Sequence, residues 1–126
     1  MTKLQAVNSF LSSFGIPAYE ENAIYAADTV LPLPYITYGI QLDNYRGGER
    51  PLLATAWYRT TTLKPLEDIA IAIAQRVGIS GLVIPCDGGY VWIKRGAPFA
   101  QFLDDPADKF VKRVIINLSA EYNTAI

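Results

Sequence analysis

The chain has 126 residues, of which 51% are hydrophobic and 18% charged, and its formal net charge is −1. These values predict a single folded domain over residues 1–126 and exclude a disordered chain, and the small net charge disfavours general binding to duplex DNA. Histidine is absent and Cys86 is the only cysteine, which excludes histidine-dependent nucleophiles, bases and metal sites, and also an intrachain disulfide.

The first predicted element is a helix. Thr2 and Gln5 have the spacing of a capping box, in which the two side chains satisfy backbone N–H groups of the first turn. Gly15 and Pro17 end this helix. Its apolar stripe, at three- and four-residue steps, is Leu4, Val7, Leu11 and Phe14.

Residues 18–34 have no clean period, and we interpret them as a short extended piece followed by an irregular arm. The segment YITYGIQL, residues 35–42, alternates and predicts a strand. The polar segment DNYRGGERP, residues 43–51, predicts a long hairpin loop. This loop leads into a second predicted strand, LLATAWYRTTT, at residues 52–62.

A second helix is predicted from about Pro65 to Val77. Its first turn holds Pro65, its last turn holds Arg76, and Gly78 follows directly, which are residue types that helix termini favour. We expect its apolar stripe to pack on a sheet. The stripe is Leu66, Ile69, Ala70, Ile73 and Val77.

A tight hairpin is predicted in LVIPCDGGYVWIKR, residues 82–95, where two apolar runs flank Asp87–Gly89. Pro85 cannot donate to a sheet, so the first of these strands is predicted at an edge. The segment GAPFAQFLDDPADKF, residues 96–110, contains two prolines and is predicted as a connection, with a helical turn that starts at Asp105.

The closing strand is predicted in RVIINLSAEY, residues 113–122. One face of it is Val114, Ile116, Leu118, Ala120 and Tyr122. The elements follow one another as helix, strand, strand, helix and three strands, with hairpins between consecutive strands. This order predicts an α+β fold, a mostly antiparallel four- to five-stranded sheet with two helices packed on one face.

The segment around the cysteine is the first candidate site. Gly88 and Gly89 lie between two strand-like runs, whereas phosphate-binding loops precede a helix, so a hairpin turn is favoured. Cys86 has no histidine to activate it and has Asp87 beside it, which disfavours a thiolate nucleophile and favours a structural cysteine.

Two further clusters have an alternative structural interpretation. Four acids could form a carboxylate pair or a hard-metal site, but their spacing matches no EF-hand loop, and Asp105 before Pro106 favours a turn cap. They are Asp87, Asp104, Asp105 and Asp108. A set of basic and aromatic residues could grip single-stranded nucleic acid, although the same alternation is typical of a half-buried strand. This set is Lys94, Arg95, Lys109, Lys112 and Arg113 with Tyr90, Trp92, Phe99 and Phe102.

The polar loop NYRGGER is the remaining candidate. Its length and its mixed charges, Arg46, Glu49 and Arg50, suit a protein contact formed by complementary pairs. Since no catalytic constellation emerges, the residues favour a binding or assembly role over an enzyme, and the spacing of the acids disfavours a metal site.

The order of elements resembles the tail terminator, or tail completion, proteins of tailed bacteriophages and the related neck proteins. The resemblance covers nearly the full length. The parts that carry it are the Pro-Tyr-Ile entry to the strand at 34–36, the strand around Trp57 and the helix with LEDIAIAIAQRV at residues 66–77.

The resemblance implies a virion protein of the tail or neck, assembled in the host cytoplasm, with no enzymatic activity and no obligatory cofactor. Such a subunit forms a ring, commonly a hexamer, that caps the tail tube and joins it to the head connector. Its partners would be further copies of itself, the tail-tube protein and the connector or stopper protein, with DNA only as cargo through the ring and no membrane contact. The alternatives are a head-completion or stopper protein and, in a different class, a small ligand-binding module.

The interface residues are predicted from this sequence alone, because the family offers no residue signature to carry over. We expect inter-subunit or axial contacts from the loop around Tyr45–Arg50 and from the segment Phe99–Asp108. The candidates are Tyr45, Arg46, Glu49, Arg50, Phe99, Phe102, Asp104 and Asp105.

Overall fold

The computed structural model describes residues 1–26, 31–40 and 49–124. Within them the chain forms three α-helices, a short 3₁₀ turn at Ser12–Phe14 and six strands. The helices are α1 (Lys3–Leu11), α2 (Glu21–Ala26) and α3 (Lys64–Val77). The strands are β1 (Ala18–Glu20), β2 (Tyr35–Tyr38), β3 (Glu49–Arg59), β4 (Leu82–Cys86), β5 (Gly89–Asp104) and β6 (Val111–Thr124).

The strands form one mixed sheet in the order β1-β2-β3-β6-β5-β4. β1 pairs with β2 in parallel, and every other neighbouring pair is antiparallel. The predicted fold class is therefore wrong: within the described residues the sheet has six strands rather than four or five, the β1–β2 pair makes it mixed, and there are three α-helices rather than two. The buried side chains of α1 and α3 share one core on one face of the sheet.

The missed elements are short. β1 has three residues and α2 has six, too few for a period of two or of 3.6 residues to show in the sequence. Together they occupy residues 18–26 of the segment 18–34, which we interpreted as a short extended piece followed by an irregular arm. The rest of the predicted arm includes residues 27–30, which lie outside the described part of the chain.

The predicted connection at residues 96–110 is largely strand. β5 continues to Asp104, and its pairing with β6 shifts register between Arg95 and Ala100. A bulge of this kind bends a strand without ending it. The glycine and proline at 96 and 98, which indicated a loop, therefore belong to a bulge within one long strand.

The β2–β3 connection also differs from its prediction. β3 already begins at Glu49, so Glu49, Arg50 and Pro51 are paired with β6 rather than looped. Of the predicted strand at 35–42, β2 covers Tyr35–Tyr38. Residues 41–48, which hold most of the predicted loop, lie outside the described residues.

The predicted capping box of α1 is confirmed. The Gln5 backbone N–H donates to Thr2 Oγ1 at 3.1 Å, and the Thr2 N–H donates to Gln5 Oε1 at 2.8 Å. The buried stripe differs from the predicted one, because Leu4 is 46% exposed. The buried residues of α1 are Ala6, Val7, Phe10 and Leu11.

The stripe of α3 is confirmed at all five positions, and so are the five inward positions of β6. Both sets belong to one cluster of buried side chains between the sheet and the helices. Periodicity predicts these elements well because each has one face in the core and the other away from it. Pro85 lies in β4, which is at one end of the sheet as predicted.

Candidate functional site

The sheet has a second face that points away from α1 and α3, called the outer face below. Its residues alternate with the core positions of each strand. On β3 the core side is Leu52, Ala54 and Ala56. The outer face includes Tyr35 and Thr37 on β2; Glu49, Pro51, Leu53, Thr55 and Trp57 on β3; Arg113, Ile115, Asn117, Ser119 and Glu121 on β6; Tyr90, Trp92 and Lys94 on β5; and Val83 on β4.

The described helices leave most of this face uncovered. The buried side chains of α1 and α3 lie on the opposite side of the sheet, and α2 packs against β1 and β2 at one end of it. Apolar outer-face side chains are accordingly open to solvent: Leu53 is 46% exposed, Val83 52% and Tyr90 40%. Apolar positions on both faces of a strand are typical of a sheet that is covered on both sides in its working state.

An aromatic cluster lies at one end of the outer face. Trp57 is paired with Tyr35 on one side and with Arg113 on the other. Its indole N–H donates to Thr37 Oγ1 at 3.1 Å, and the Arg113 guanidinium lies 5.2 Å from the centre of its ring. Tyr35 also meets Tyr19 of β1 edge to face, with ring centres 5.9 Å apart.

The Arg113 guanidinium is held mainly by the Trp57 ring. Its Nε is buried and has no hydrogen-bond partner among the residues that the structure describes. A buried donor of this kind is costly to leave unsatisfied.

A charged cluster lies further along the same face. The Lys94 ammonium donates to Glu49 and lies 3.6 Å from Glu121 Oε2. It also sits 3.8 Å from the centre of the Trp92 ring. The hydrogen bond with Glu49 is the main reason that the pKa of Lys94 is raised above its usual value. This lysine is thus fixed in place by its neighbours, and it ties β3, β5 and β6 together.

An open groove of about 500 Å³ crosses the outer face beside the bulge of β5. One wall consists of Gly96, Ala97 and Pro98, and the floor includes Asn117 and Leu53. A Cβ on Gly96 would lie 3.0 Å from the Asn117 carbonyl oxygen, so glycine allows the close approach of the two strands. The groove is shallow, whereas small-molecule sites enclose most of their ligand.

The turn between β5 and β6 holds the predicted acids in internal bonds. Asp104 accepts from Lys112 at 2.8 Å, Asp105 accepts the Ala107 N–H at 2.8 Å, and Asp108 accepts from Arg59 at 3.2 Å. The Phe110 backbone N–H, and then Arg59, hold the pKa of Asp108 below its usual value. Asp105 therefore acts as a turn cap, as its sequence context favours.

The predicted interface residues fall into two separate groups. Glu49 and Arg50 lie in β3 next to the bulge groove, whereas Asp104 and Asp105 lie at the far end of β5. Their partners on β6 are nine residues apart, which corresponds to roughly 30 Å along the strand. Phe99 and Phe102 lie between the two groups on β5, and Tyr45 and Arg46 fall outside the described residues.

Leu53, Trp57 and Ile115 were not among the predicted interface residues. The sequence feature that could have identified them is a strand in which both alternating sets of positions are apolar. The segment LLATAWYR, residues 52–59, has this pattern. We interpreted that segment as an ordinary strand. Its double-sided apolar pattern is the sequence feature that indicates a covered outer face.

The other candidate clusters do not converge. Lys94, Arg95 and Lys112 bond to Glu49, to the Gly78 carbonyl and to Asp104 respectively, so they form no single basic patch. Among the described residues no group of three or more Cys, Asp or Glu side chains is arranged to hold a metal ion. Gly88 and Gly89 lie at the β4–β5 hairpin, as predicted, and Cys86 is half-buried against the core.

No protein-family model, curated protein or solved structure matches this chain. Within residues 1–26, 31–40 and 49–124, no helix is long and apolar enough to cross a membrane.

Proposed function

We propose that this protein is an assembly subunit of the phage tail terminator kind. It forms a ring on the end of the tail tube, stops the tube from growing and offers a docking face to the head connector. It acts without enzymatic turnover and without a cofactor. The proposal combines the resemblance in the order of elements with the geometry of the sheet.

The exposed outer face of the sheet is the observation that carries the proposal. Leu53 and Val83 are about half exposed there, in positions flanked by aromatic and paired charged side chains. Exposed apolar side chains of this kind are candidate contacts for another protein. The occupant we assign is a neighbouring copy of this chain.

The chemistry of the outer face fits such a neighbour. A ring closes through heterologous contacts, in which one patch meets a different patch of the next copy. The outer face offers apolar contact area around Leu53, which is 46% exposed.

Paired substitutions test this assignment. Leu53 on the outer face and Ile71 on α3 are both 46% exposed, so Leu53→Glu and Ile71→Glu place the same new charge on equally accessible positions. We expect the unsubstituted chain to form closed rings in negative-stain electron micrographs and a matching species in sedimentation velocity. We expect Leu53→Glu to abolish both and Ile71→Glu to retain both, with unchanged circular dichroism for each variant.

Two outcomes contradict the proposal. One is that the unsubstituted chain forms no rings, either alone or in the presence of tail tubes from the phage that encodes it. The other is loss of assembly in Ile71→Glu while Leu53→Glu assembles normally, which would assign the contact to the helical face.

A head-completion or stopper protein is the closest alternative, because it also forms a ring in the neck. The discriminating observation is the binding partner. A tail terminator sediments with tail tubes, whereas a stopper sediments with DNA-filled heads that lack tails.

A further inference from the structure

The long edge of β5 is open over its second half. β4 pairs only with Gly89–Ile93 of β5, whereas β6 pairs with β5 as far as Asp104. From Ala100 to Asp104 the other side of β5 has no strand beside it within the described part of the chain. Alternate residues there direct their N–H and C=O groups away from the sheet, which is a template for a further strand.

The other edges of the sheet are protected in ways that this one is not. β1 is only three residues long, and β4 contains Pro85, which cannot donate to an added strand. Short edge strands and edge prolines are common devices against unwanted pairing. The segment Ala100–Asp104 has neither, since its nearest proline, Pro98, lies within the bulge before it.

The edge segment also carries no unbalanced charge. Its one ionisable side chain is Asp104, which is bonded to Lys112 at 2.8 Å. Phe102 in the middle of the segment is 40% exposed. An edge of five residues with an exposed aromatic side chain at its centre and its one charge paired favours the addition of a strand.

The sequence of the segment, AQFLD, is compatible with pairing to itself. In an antiparallel arrangement centred on Phe102, each Phe102 lies opposite the other, Gln101 lies opposite Leu103, and Asp104 lies opposite Ala100. No like charges are opposed, and the two aromatic rings meet as a cross-strand pair. Opposed residues share a face of the sheet, so the two copies form one continuous sheet with their helices on the same side.

We propose that the β5 edge from Ala100 to Asp104 is a self-association site, at which two copies pair antiparallel about a two-fold axis through Phe102. This contact does not rest on the ring proposed above, because a two-fold contact is isologous and contacts around a cyclic ring are heterologous. It closes the open edge of the free chain and protects it from less specific strand pairing.

Cysteine cross-linking tests the register. Cys86 is the only native cysteine, so Cys86→Ala gives a background without thiols. Phe102→Cys on that background places two thiols directly opposite each other, at a separation that a disulfide can span. Phe110→Cys is the matched control, because Phe110 is 45% exposed but lies beyond the end of β5.

We expect mild oxidation to convert most Phe102→Cys chains to a disulfide-linked dimer and to leave Phe110→Cys chains mainly monomeric. In the otherwise native chain, Phe102→Lys should weaken dimerisation in sedimentation equilibrium by roughly tenfold or more, since a central aromatic contact is lost. Phe110→Lys should leave it unchanged.

Absence of the Phe102-linked dimer in a folded chain, or equal cross-linking at positions 102 and 110, overturns the two-fold contact. Its failure is distinguishable from failure of the ring. If Leu53→Glu abolishes ring formation but Phe102→Cys does not cross-link, only the edge contact is contradicted. If Phe102→Cys cross-links but the chain never forms rings, only the ring is contradicted.

Discussion

At the scale of single residues, two glycines have the same backbone conformation and different surroundings. Gly15 and Gly81 both have φ of +88°. A Cβ on Gly15 would meet nothing within 4 Å, whereas a Cβ on Gly81 would collide with the Trp92 indole and lie 2.8 Å from the Ile93 carbonyl oxygen. The indole N–H of Trp92 donates to the neighbouring Ser80 carbonyl at 3.1 Å, so the ring is held against this glycine.

We expect Gly15→Ala to lower the free energy of unfolding by about 1 kcal/mol, because alanine disfavours the left-handed backbone conformation and the added Cβ meets no neighbouring atom. Gly81→Ala should cost roughly 2–4 kcal/mol, because overpacking and a weakened Trp92 hydrogen bond are added. Urea unfolding of both variants measures the difference. Equal losses in the two variants would show that the Trp92 contact adds nothing.

A buried tyrosine links stability to alkaline pH. Tyr122 is 8% exposed, and burial, with a smaller effect from Tyr38, raises its pKa from 10.0 to about 12. The folded state therefore retains a phenolic proton that the unfolded chain loses above pH 10, and stability falls as pH rises from 10 to 12. For Tyr122 alone the loss between pH 8 and pH 11 is on the order of 1 kcal/mol.

We expect Tyr122→Phe to lose less stability than the unsubstituted chain between pH 8 and pH 11. Some loss remains, because burial also raises the pKa of Tyr38 and Tyr58. Urea midpoints at the two pH values give the comparison, and the pH 8 value controls for the packing effect of the missing hydroxyl. An unchanged alkaline loss in Tyr122→Phe would exclude Tyr122 as a source.

At the scale of elements, α3 separates a core face from an exposed face within one turn. Ile73 is fully buried between the helix and the sheet, and Ile71 is 46% exposed. We expect Ile73→Ala to cost about 2–5 kcal/mol of unfolding free energy, because it removes buried methylenes and leaves a cavity. Ile71→Ala should stay within about 1 kcal/mol, since the side chain is already half in water. A similar cost for both in thermal or urea unfolding would contradict this placement of the helix.

Long elements with one face in the core could be predicted from the sequence, whereas very short elements and the bulged strand could not. The five buried positions of α3 and of β6 follow from their periods. The three-residue β1 and six-residue α2 are too short to show a period, and β1 is stabilised by pairing with β2 rather than by its own composition. In β5, Gly96 and Pro98 are residue types that are typical of a loop. The strand is seen to continue only because the residues before and after this bulge both pair with β6.

At the scale of the whole molecule, the exposed outer face could not be inferred from the sequence. Several of the predicted interface residues were chosen because they are charged, among them Glu49 and Asp105. The structure shows that both of these acids accept hydrogen bonds from within the chain. The outer face instead stands out through Leu53, whose exposure depends on which face of the sheet the helices occupy. That choice is tertiary, and alternation within a single strand does not reveal it.

The central claim is that this chain works by assembly on the end of a tail tube. The most direct measurement is electron microscopy of tail tubes grown in the presence and absence of the purified chain. The expected result is a ring at one end of each tube, with tubes that stop lengthening once the chain is added. Tubes that grow to the same lengths with bare ends, while the chain remains in the supernatant, would contradict the claim.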